Sequence, residues 1–389
     1  MATAGVEVST DTVDRDVAAA VTRELERVFS EFVAYSRSLD GVFASDVAER
    51  LAAFTLDGGS RTRPRFLWWA MRACGGTDLH VPVALRIGAA LELVQSCALI
   101  HDDVMDQSAL RRGRPSFHAQ IALQYPAAVP LPEPGASPFA LSAAVLAGDL
   151  ALSWADDLVA GVDLGPPVRT DVLRIWRAMR TEMVAGQYLD LLGQATSSRS
   201  AVQAIRTVCL KTARYTVERP LALGAARASA DDATAQALNA AGRCAGIAFQ
   251  LRDDLLSVFG DPEVTGKPSG DDISSGKATY LLALAHARAR ATGATDVINL
   301  LQDCRGNSPL SGPALSSVRE ALQSTGAPAQ VERRIERLVR ASERHLAAAR
   351  LHGPATRHLA GLLRQVASPP RQAATAAATA AADGHGGAR

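Results

Sequence analysis

The chain has 389 residues, of which 48% are hydrophobic and 21% charged, and its formal net charge is +1. This is the composition of an ordinary globular protein. The balanced charge excludes a general attraction to nucleic acid or to an anionic membrane, so any basic site must be local. Five cysteines (Cys74, Cys97, Cys209, Cys244 and Cys304) show no CxxC spacing, which argues against a disulfide framework and for reduced thiols in a cytoplasmic protein.

Residues 1–16 are acidic and polar and lack the basic start and apolar run of a signal peptide, so a flexible tail is expected there. Helical spacing of apolar residues begins at Val17 and runs to Phe32. Asp57-Gly58-Gly59-Ser60 punctuates the chain before Arg61. The most apolar segment, Val81 to Ile100, is interrupted by Arg86, Glu92 and Gln95. A membrane span needs about 20 mostly apolar residues without such charges, so a buried helix of a bundle is expected. Pro126 to Pro138 reads as an exposed loop, and Leu141 to Val159 and Val172 to Leu192 as further helices. A last turn-rich connection covers Asp261 to Pro268. The Pro-, Ala-, Thr- and Gly-rich end of the chain has little to bury and is expected to be disordered. Few segments alternate with period two. The expectation is an all-α protein with one helical domain over residues 17–366, flanked by loose ends at 1–16 and 367–389.

Two acidic clusters end long apolar stretches: His101-Asp102-Asp103-Val104-Met105-Asp106 and Gln250-Leu251-Arg252-Asp253-Asp254. Residues three and four apart share a helix face. Asp106 therefore lies beside Asp102 and Asp103, and Gln250 beside Asp253 and Asp254. A single such patch reads equally well as a solvated acidic helix end. Two of them are harder to dismiss, because carboxylates crowded at the end of a buried segment are costly without a partner. Mg²⁺ shared with phosphate oxygens is the natural partner. Basic residues support a phosphorylated ligand: Arg61 and Arg63 by the Gly58-Gly59 loop, Arg111-Arg112 after the first cluster, and Lys211, Lys267 and Lys277 near other helices.

In order, Glu92-Leu93-Val94-Gln95 to Asp106, Leu110 to Pro115, Gly186 to Asp190, Lys211-Thr212, Phe249 to Asp261, Thr265 to Pro268 and Gly270-Asp271-Asp272 resemble the trans-isoprenyl diphosphate synthases, the polyprenyl synthetase family. The resemblance covers roughly residues 50–290 and is most like that of geranylgeranyl diphosphate synthases. It implies a single-domain antiparallel helix bundle around a deep cavity, usually a homodimer. It also implies elongation of an allylic diphosphate by isopentenyl diphosphate, with no protein base. Asp102, Asp103, Asp106, Asp253 and Asp254 would hold Mg²⁺, three ions by resemblance. Arg111, Lys211, Thr212, Gln250, Lys267 and Lys277 would hold the allylic substrate, with Lys211, Thr212 and Gln250 nearest the reacting carbon. Arg61, Arg63, Gln95 and Arg112 would bind isopentenyl diphosphate.

The family's Gly-Gly-Lys-Arg is Gly58-Gly59-Ser60-Arg61 here, so one lysine contact to isopentenyl diphosphate is lost and Arg61 is the expected substitute. Ser257 stands where many members have a third aspartate, the position that matters least. Cys97 and Ala98, five and four residues before Asp102, would form the floor under the growing tail. Their small side chains lead to an expected C20 product, with longer or shorter chains as alternatives. A class I terpene cyclase would use the same kind of acidic helix but would leave Arg61, Arg63 and Arg112 without a ligand. A non-catalytic subunit of a heteromeric synthase would fit the loss of the lysine, but not two intact acidic motifs.

Overall fold

The computed structural model describes residues 9–126, 137–261, 269–304, 310, 312–351 and 353–368. Almost all of this is helix. Among the described residues the only strands are Leu110–Arg111 (β1) and Arg114–Pro115 (β2), which pair antiparallel.

The chain opens with helices Thr10–Arg15 (α1) and Val17–Leu39 (α2). The expectation of a flexible tail over 1–16 is therefore corrected from Ser9 onward. Ser9 caps α1, the Thr10 amide donates to Asp78 Oδ1 at 2.7 Å, Val13 is fully buried, and Asp14 accepts from Trp68 Nε1 at 2.8 Å. The Asp78 and Trp68 partners lie more than fifty residues along the sequence, so local composition carried no trace of them. A short helical run then leads through a π-helical stretch, Ala44–Glu49, into Arg50–Leu56 (α3). Thr62–Ala73 (α4) follows the Gly58-Gly59 turn.

Val81–Met105 (α5) is the central helix. It starts with Pro82 in its first turn, where a missing N–H costs nothing. Its buried residues lie on every side, from Leu85 and Ile87 to Leu93 and Val94, the pattern of a helix enclosed by others. Phe117–Gln124 (α6) and Pro138–Ala160 (α7) come next, and α7 packs along α5. The segment reaching from Asp78 to Met105 and α7 are both long and apolar enough to cross a membrane by length and composition; the first is mostly buried inside the protein.

Pro166–Ala195 (α8) leads to Ala201–Val208 (α9), which continues as a π-helix, Cys209–Glu218, into Arg219–Arg227 (α10). Asp231 caps Asp232–Phe259 (α11) by accepting from the Thr234 amide. The short Asp271–Ser274 turn precedes Tyr280–Thr292 (α12), capped by Thr279. Thr295–Asp303 (α13), Gly312–Ser324 (α14), Ala327–Ala348 (α15) and Gly353–Ala367 (α16) complete the fold. A large core of α2, α4, α5, α7, α8 and α10 side chains joins a smaller one built on Leu251, Leu255, Leu281, Val318 and Val331. α11 contributes to both, so the second acidic cluster sits on a helix held at each end. Of the expected disordered end, 367–389, Ala367 closes α16 and Ser368 follows it, while residues from 369 onward and most of the expected loops at 126–138 and 261–268 lie outside the described residues. All five cysteines are unpaired.

Candidate active site

The last turn of α5 delivers the first cluster. Asp102 and Asp103 fall in that turn, and Asp106 caps it. The macrodipole makes a helix C-terminus unfavourable for anions, so these carboxylates require cations, and the protein supplies them. Arg111 Nε donates to Asp103 Oδ1 at 2.8 Å and its Nη2 to Asp102 at 3.3 Å. Lys211 Nζ lies 3.2 Å from Asp102 and 2.7 Å from Asp190. Lys277 Nζ lies 3.1 Å from Asp106 and 3.8 Å from Asp272. Gln187 donates to Asp102 at 3.1 Å.

The charges respond to this setting. Burial opposes the Asp102 anion, but Lys211, Lys277 and Arg111 outweigh it and hold its carboxyl below the ordinary range. Burial pushes Asp103 up against the pull of Arg111, and pushes Asp106 up against that of Lys277. Burial also opposes the Lys277 ammonium, yet Asp272, Asp106 and Asp102 together raise its pKa.

On α11, Gln250 Nε2 donates to Asp254 Oδ1 at 2.9 Å and to Asp253 at 3.4 Å. Asp253 is exposed, whereas Asp254 is buried, and burial followed by the nearby Asp272 raises its pKa well above the usual value. The π-helix carries the intervening groups. Its widened turn brings Lys211, Thr212, Tyr215 and Thr216 to the site, a recurrent use of π-helical backbone. Thr212 Oγ1 donates to Gln250 Oε1 at 2.9 Å, and Tyr215 Oη donates to Gln95 Oε1 at 3.0 Å. Gly186 on α8 lets the π-helix approach, since a β-carbon there would collide with the Lys211 backbone.

A second basic cluster lies beside the first. The β1–β2 turn has positive φ at Arg112 (55°) and Gly113 (72°), as two-residue hairpins favour. This turn sends the two arginines to different places. Arg111 reaches Asp102 and Asp103, and Arg112 lies over Gly58, where a β-carbon would strike its guanidinium. Burial lowers the Arg112 pKa, and Arg61, Arg111 and Arg63 lower it further against Glu92. Arg63 Nη2 donates to Thr216 at 3.0 Å, and its guanidinium stacks 4.2 Å over the Tyr215 ring. Gln95 meets this cluster through Tyr215.

The expected role of Arg61 is corrected. Only 4% of it is exposed, and its φ of 50° turns it inward. It donates to the Thr55 and Leu56 carbonyls at 2.9 and 3.0 Å and to Glu92 at 2.7 Å. The guanidinium thus caps the end of α3 and neutralises a buried carboxylate, which turns it away from the Arg63 and Arg112 side chains. Lys267 lies outside the described residues. Asp190, Gln187, Asp272 and Tyr215 were given no role by sequence reasoning. The signal for Asp190 was its place four residues after Gly186, on the face of α8 that approaches the π-helix. Cys97 is buried and Ala98 half-buried on α5, and burial pushes the Cys97 thiol up to about 12, so it is neutral packing.

The residues accommodate a hard cation in one specific respect. Asp103 Oδ2 and Asp254 Oδ2 are both buried without a hydrogen-bond partner, one from each acidic wall. Unpaired buried carboxylate oxygens are costly for a protein alone and suit Mg²⁺. Among the described residues no three such side chains close on one point, and Lys211 and Lys277 stand among the carboxylates instead. A cation here would therefore share its ligands with a phosphate. A cavity of about 510 Å³ lies elsewhere, lined by Tyr280 and residues of α15, and has no part in this site.

Comparison with known proteins places this geometry. The family profile for polyprenyl synthetase matches residues 45–308. The chain is 35% identical over 250 residues to a geranylgeranyl diphosphate synthase of Mycobacterium tuberculosis, covering 63% of this chain and 63% of that protein. It is 34% identical over 269 residues to a farnesyl diphosphate synthase of Geobacillus stearothermophilus, covering 66% of this chain and 82% of that one. Among solved structures, a geranylgeranyl pyrophosphate synthase of Corynebacterium glutamicum, complexed with isoprenyl diphosphate and magnesium, superposes with a TM-score of 0.81 at 34% identity, covering 90% of this chain and 98% of that one. The chain belongs to the polyprenyl synthetase family of prenyltransferases.

Proposed function

We propose that this protein elongates an allylic diphosphate with isopentenyl diphosphate, releases diphosphate, and forms an all-trans prenyl diphosphate. The carrying observation is the presence of two separate basic clusters: Arg111, Lys211 and Lys277 among the carboxylates, and Arg63 with Arg112 beside Gln95. One cluster would serve a terpene cyclase. Two suit a condensation of two diphosphates.

Arg111, Lys211 and Lys277 hold the allylic diphosphate, and Lys267 joins them. Asp102, Asp103 and Asp106 with Asp253 and Asp254 hold Mg²⁺, three ions by family resemblance. The metal, when bound, neutralises charge on the leaving diphosphate. Thr212 and Gln250 direct oxygen dipoles toward the allylic carbon as positive charge develops. Arg63, Arg112 and Gln95 orient isopentenyl diphosphate for attack, and the departing diphosphate accepts the proton. Exposed Phe139, Val145 and Leu146 on α7, with Val184 and Tyr188 on α8, suit a second copy of the chain, in the cytoplasm.

The test is a product assay with isopentenyl diphosphate and each of dimethylallyl, geranyl and farnesyl diphosphate. Chain-elongated diphosphates support the reading. Hydrocarbon or alcohol formed without isopentenyl diphosphate would replace it with a cyclase.

For length we infer geranylgeranyl diphosphate, because Cys97 and Ala98 put no aromatic ring under the tail. The similar proteins include synthases of farnesyl, geranylgeranyl and geranylfarnesyl diphosphate, so the floor decides between them. Cys97→Phe with Ala98→Phe is expected to shorten the main product by at least one five-carbon unit, read by chromatography of the dephosphorylated alcohols. An unchanged product would refute this floor. Ser60→Lys restores a charge-assisted contact worth about 1.5–3 kcal/mol. It is expected to lower KM for isopentenyl diphosphate roughly tenfold or more with little change in kcat.

A further inference from the structure

The groove of about 510 Å³ outside the active site is lined by Tyr280, Gln330, Arg333, Glu336, Arg337 and Arg340. Arg333, Arg337 and Arg340 follow one another at helical spacing on α15 and are all exposed. Three arginines against one glutamate leave the lining at a formal +2. Glu336 pairs loosely with Arg340 at 3.8 Å. Among the described residues, no hydrogen bond or ion pair engages Arg333 or Arg337. They stand four residues apart, where like charges destabilise a helix. Glu336 offsets one of the three positive charges, which leaves Arg333 and Arg337 facing the concavity with charge in excess.

We propose that this groove binds a small phosphorylated anion of two or more negative charges. Its size is in the range of ligand sites, and arginine forks match phosphate oxygens in pairs. No aliphatic side chain lines it, which excludes a prenyl tail. The Tyr280 ring is already covered by Arg334, whose guanidinium sits 4.8 Å from its centroid and donates to its hydroxyl at 2.9 Å. The ligand therefore needs phosphate groups and no aromatic ring.

The site is tied to the catalytic centre on two sides. Tyr280 starts α12 three residues after Lys277, the lysine that lies between Asp106 and Asp272. Glu332, on the same turn of α15, accepts from Arg252 Nη2 at 2.7 Å, and Arg252 directly precedes Asp253. An anion that draws Arg333 and Arg337 together acts on the helix that positions both, and so modulates turnover. This coupling rests on the proposed role of Lys277, whereas binding in the groove does not.

The test is equilibrium dialysis of the full chain against inorganic triphosphate in EDTA, with ATP in parallel. The Arg333→Glu/Arg337→Glu chain is expected to bind one equivalent fewer than the wild type, and Arg333→Lys/Arg337→Lys to bind at intermediate affinity. Both changes are at exposed positions, and equal melting temperatures confirm the fold. Loss with both probes supports a site that reads the phosphate chain alone; loss with ATP only would overturn that reading, because a base would then be required. Identical isotherms for the wild-type and charge-reversed chains would overturn the site. At saturating allylic substrate, triphosphate is expected to change the wild-type kcat at least twofold and that of the charge-reversed chain not at all. A kcat indifferent to triphosphate in both would overturn the coupling. Neither binding outcome depends on the reaction catalysed.

Discussion

Asp102→Ala and Asp253→Ala are each expected to lower kcat by about 10²–10³-fold, the loss typical when a group aimed at developing charge is removed. The fold should survive both changes. Asp253 is exposed, so its loss should leave the melting temperature in place while turnover collapses. The Asp102 anion is held by Lys211, Lys277 and Arg111, so its loss should lower the melting temperature modestly as well as turnover. Asp254→Asn separates the two effects further. Burial and Asp272 raise the Asp254 pKa in the folded chain, so the native state binds more protons than the unfolded one above the ordinary carboxylate pKa. Stability then falls as pH climbs toward the folded pKa. Removing the charge is expected to raise the melting temperature at neutral pH without metal, and to shrink the further rise that Mg²⁺ gives the wild type. Full activity in Asp102→Ala or Asp253→Ala, measured at saturating Mg²⁺ and both substrates, would refute the proposed reaction chemistry.

Parts of this arrangement were legible in the sequence, for definite reasons. The all-α fold follows from a period that persists almost everywhere, and α5 reads as a buried helix because Arg86, Glu92 and Gln95 interrupt its apolar run, although length and composition alone also admit a membrane span. Helical spacing alone placed Asp106 beside Asp102, and Gln250 beside Asp254; the structure keeps both. What spacing does not encode is direction across a turn. Arg61 and Arg63 sit two residues apart after the same glycines, yet the left-handed backbone at Arg61 sends it to Glu92 while Arg63 reaches Tyr215 and Thr216. Arg111 and Arg112 diverge in the same way at the hairpin. Asp190 escaped a role because it meets Lys211 only after α8 and the π-helix pack together, whereas Asp272 meets Lys277 across a local turn that helical spacing does not describe. The same holds for α1, whose partners Asp78 and Trp68 lie more than fifty residues away.

Arg61→Ala is expected to destabilise the protein by about 3–5 kcal/mol, since removing one partner leaves a buried charge uncompensated. Glu92 is 5% exposed, and the Thr55 and Leu56 carbonyls lose their donors in the same change. Chemical denaturation should show the midpoint falling at constant m-value, the mark of lost stability in an unchanged fold. Arg61→Lys keeps the charge but not the fork that reaches two carbonyls and a carboxylate together, so it should fall between. Arg61→Met with Glu92→Leu should recover most of the loss, because replacing both members of a buried pair by apolar groups is often near neutral. A substrate-binding arginine behaves in the opposite way: its loss raises KM for isopentenyl diphosphate and leaves the denaturation midpoint in place. The same assays on Arg63→Ala should give that second pattern, since Arg63 stacks on Tyr215 beside Arg112 and neutralises no buried acid. On the proposed reading, two arginines separated by one threonine would divide between holding the fold and holding the ligand, and a midpoint unmoved by Arg61→Ala would return Arg61 to the substrate.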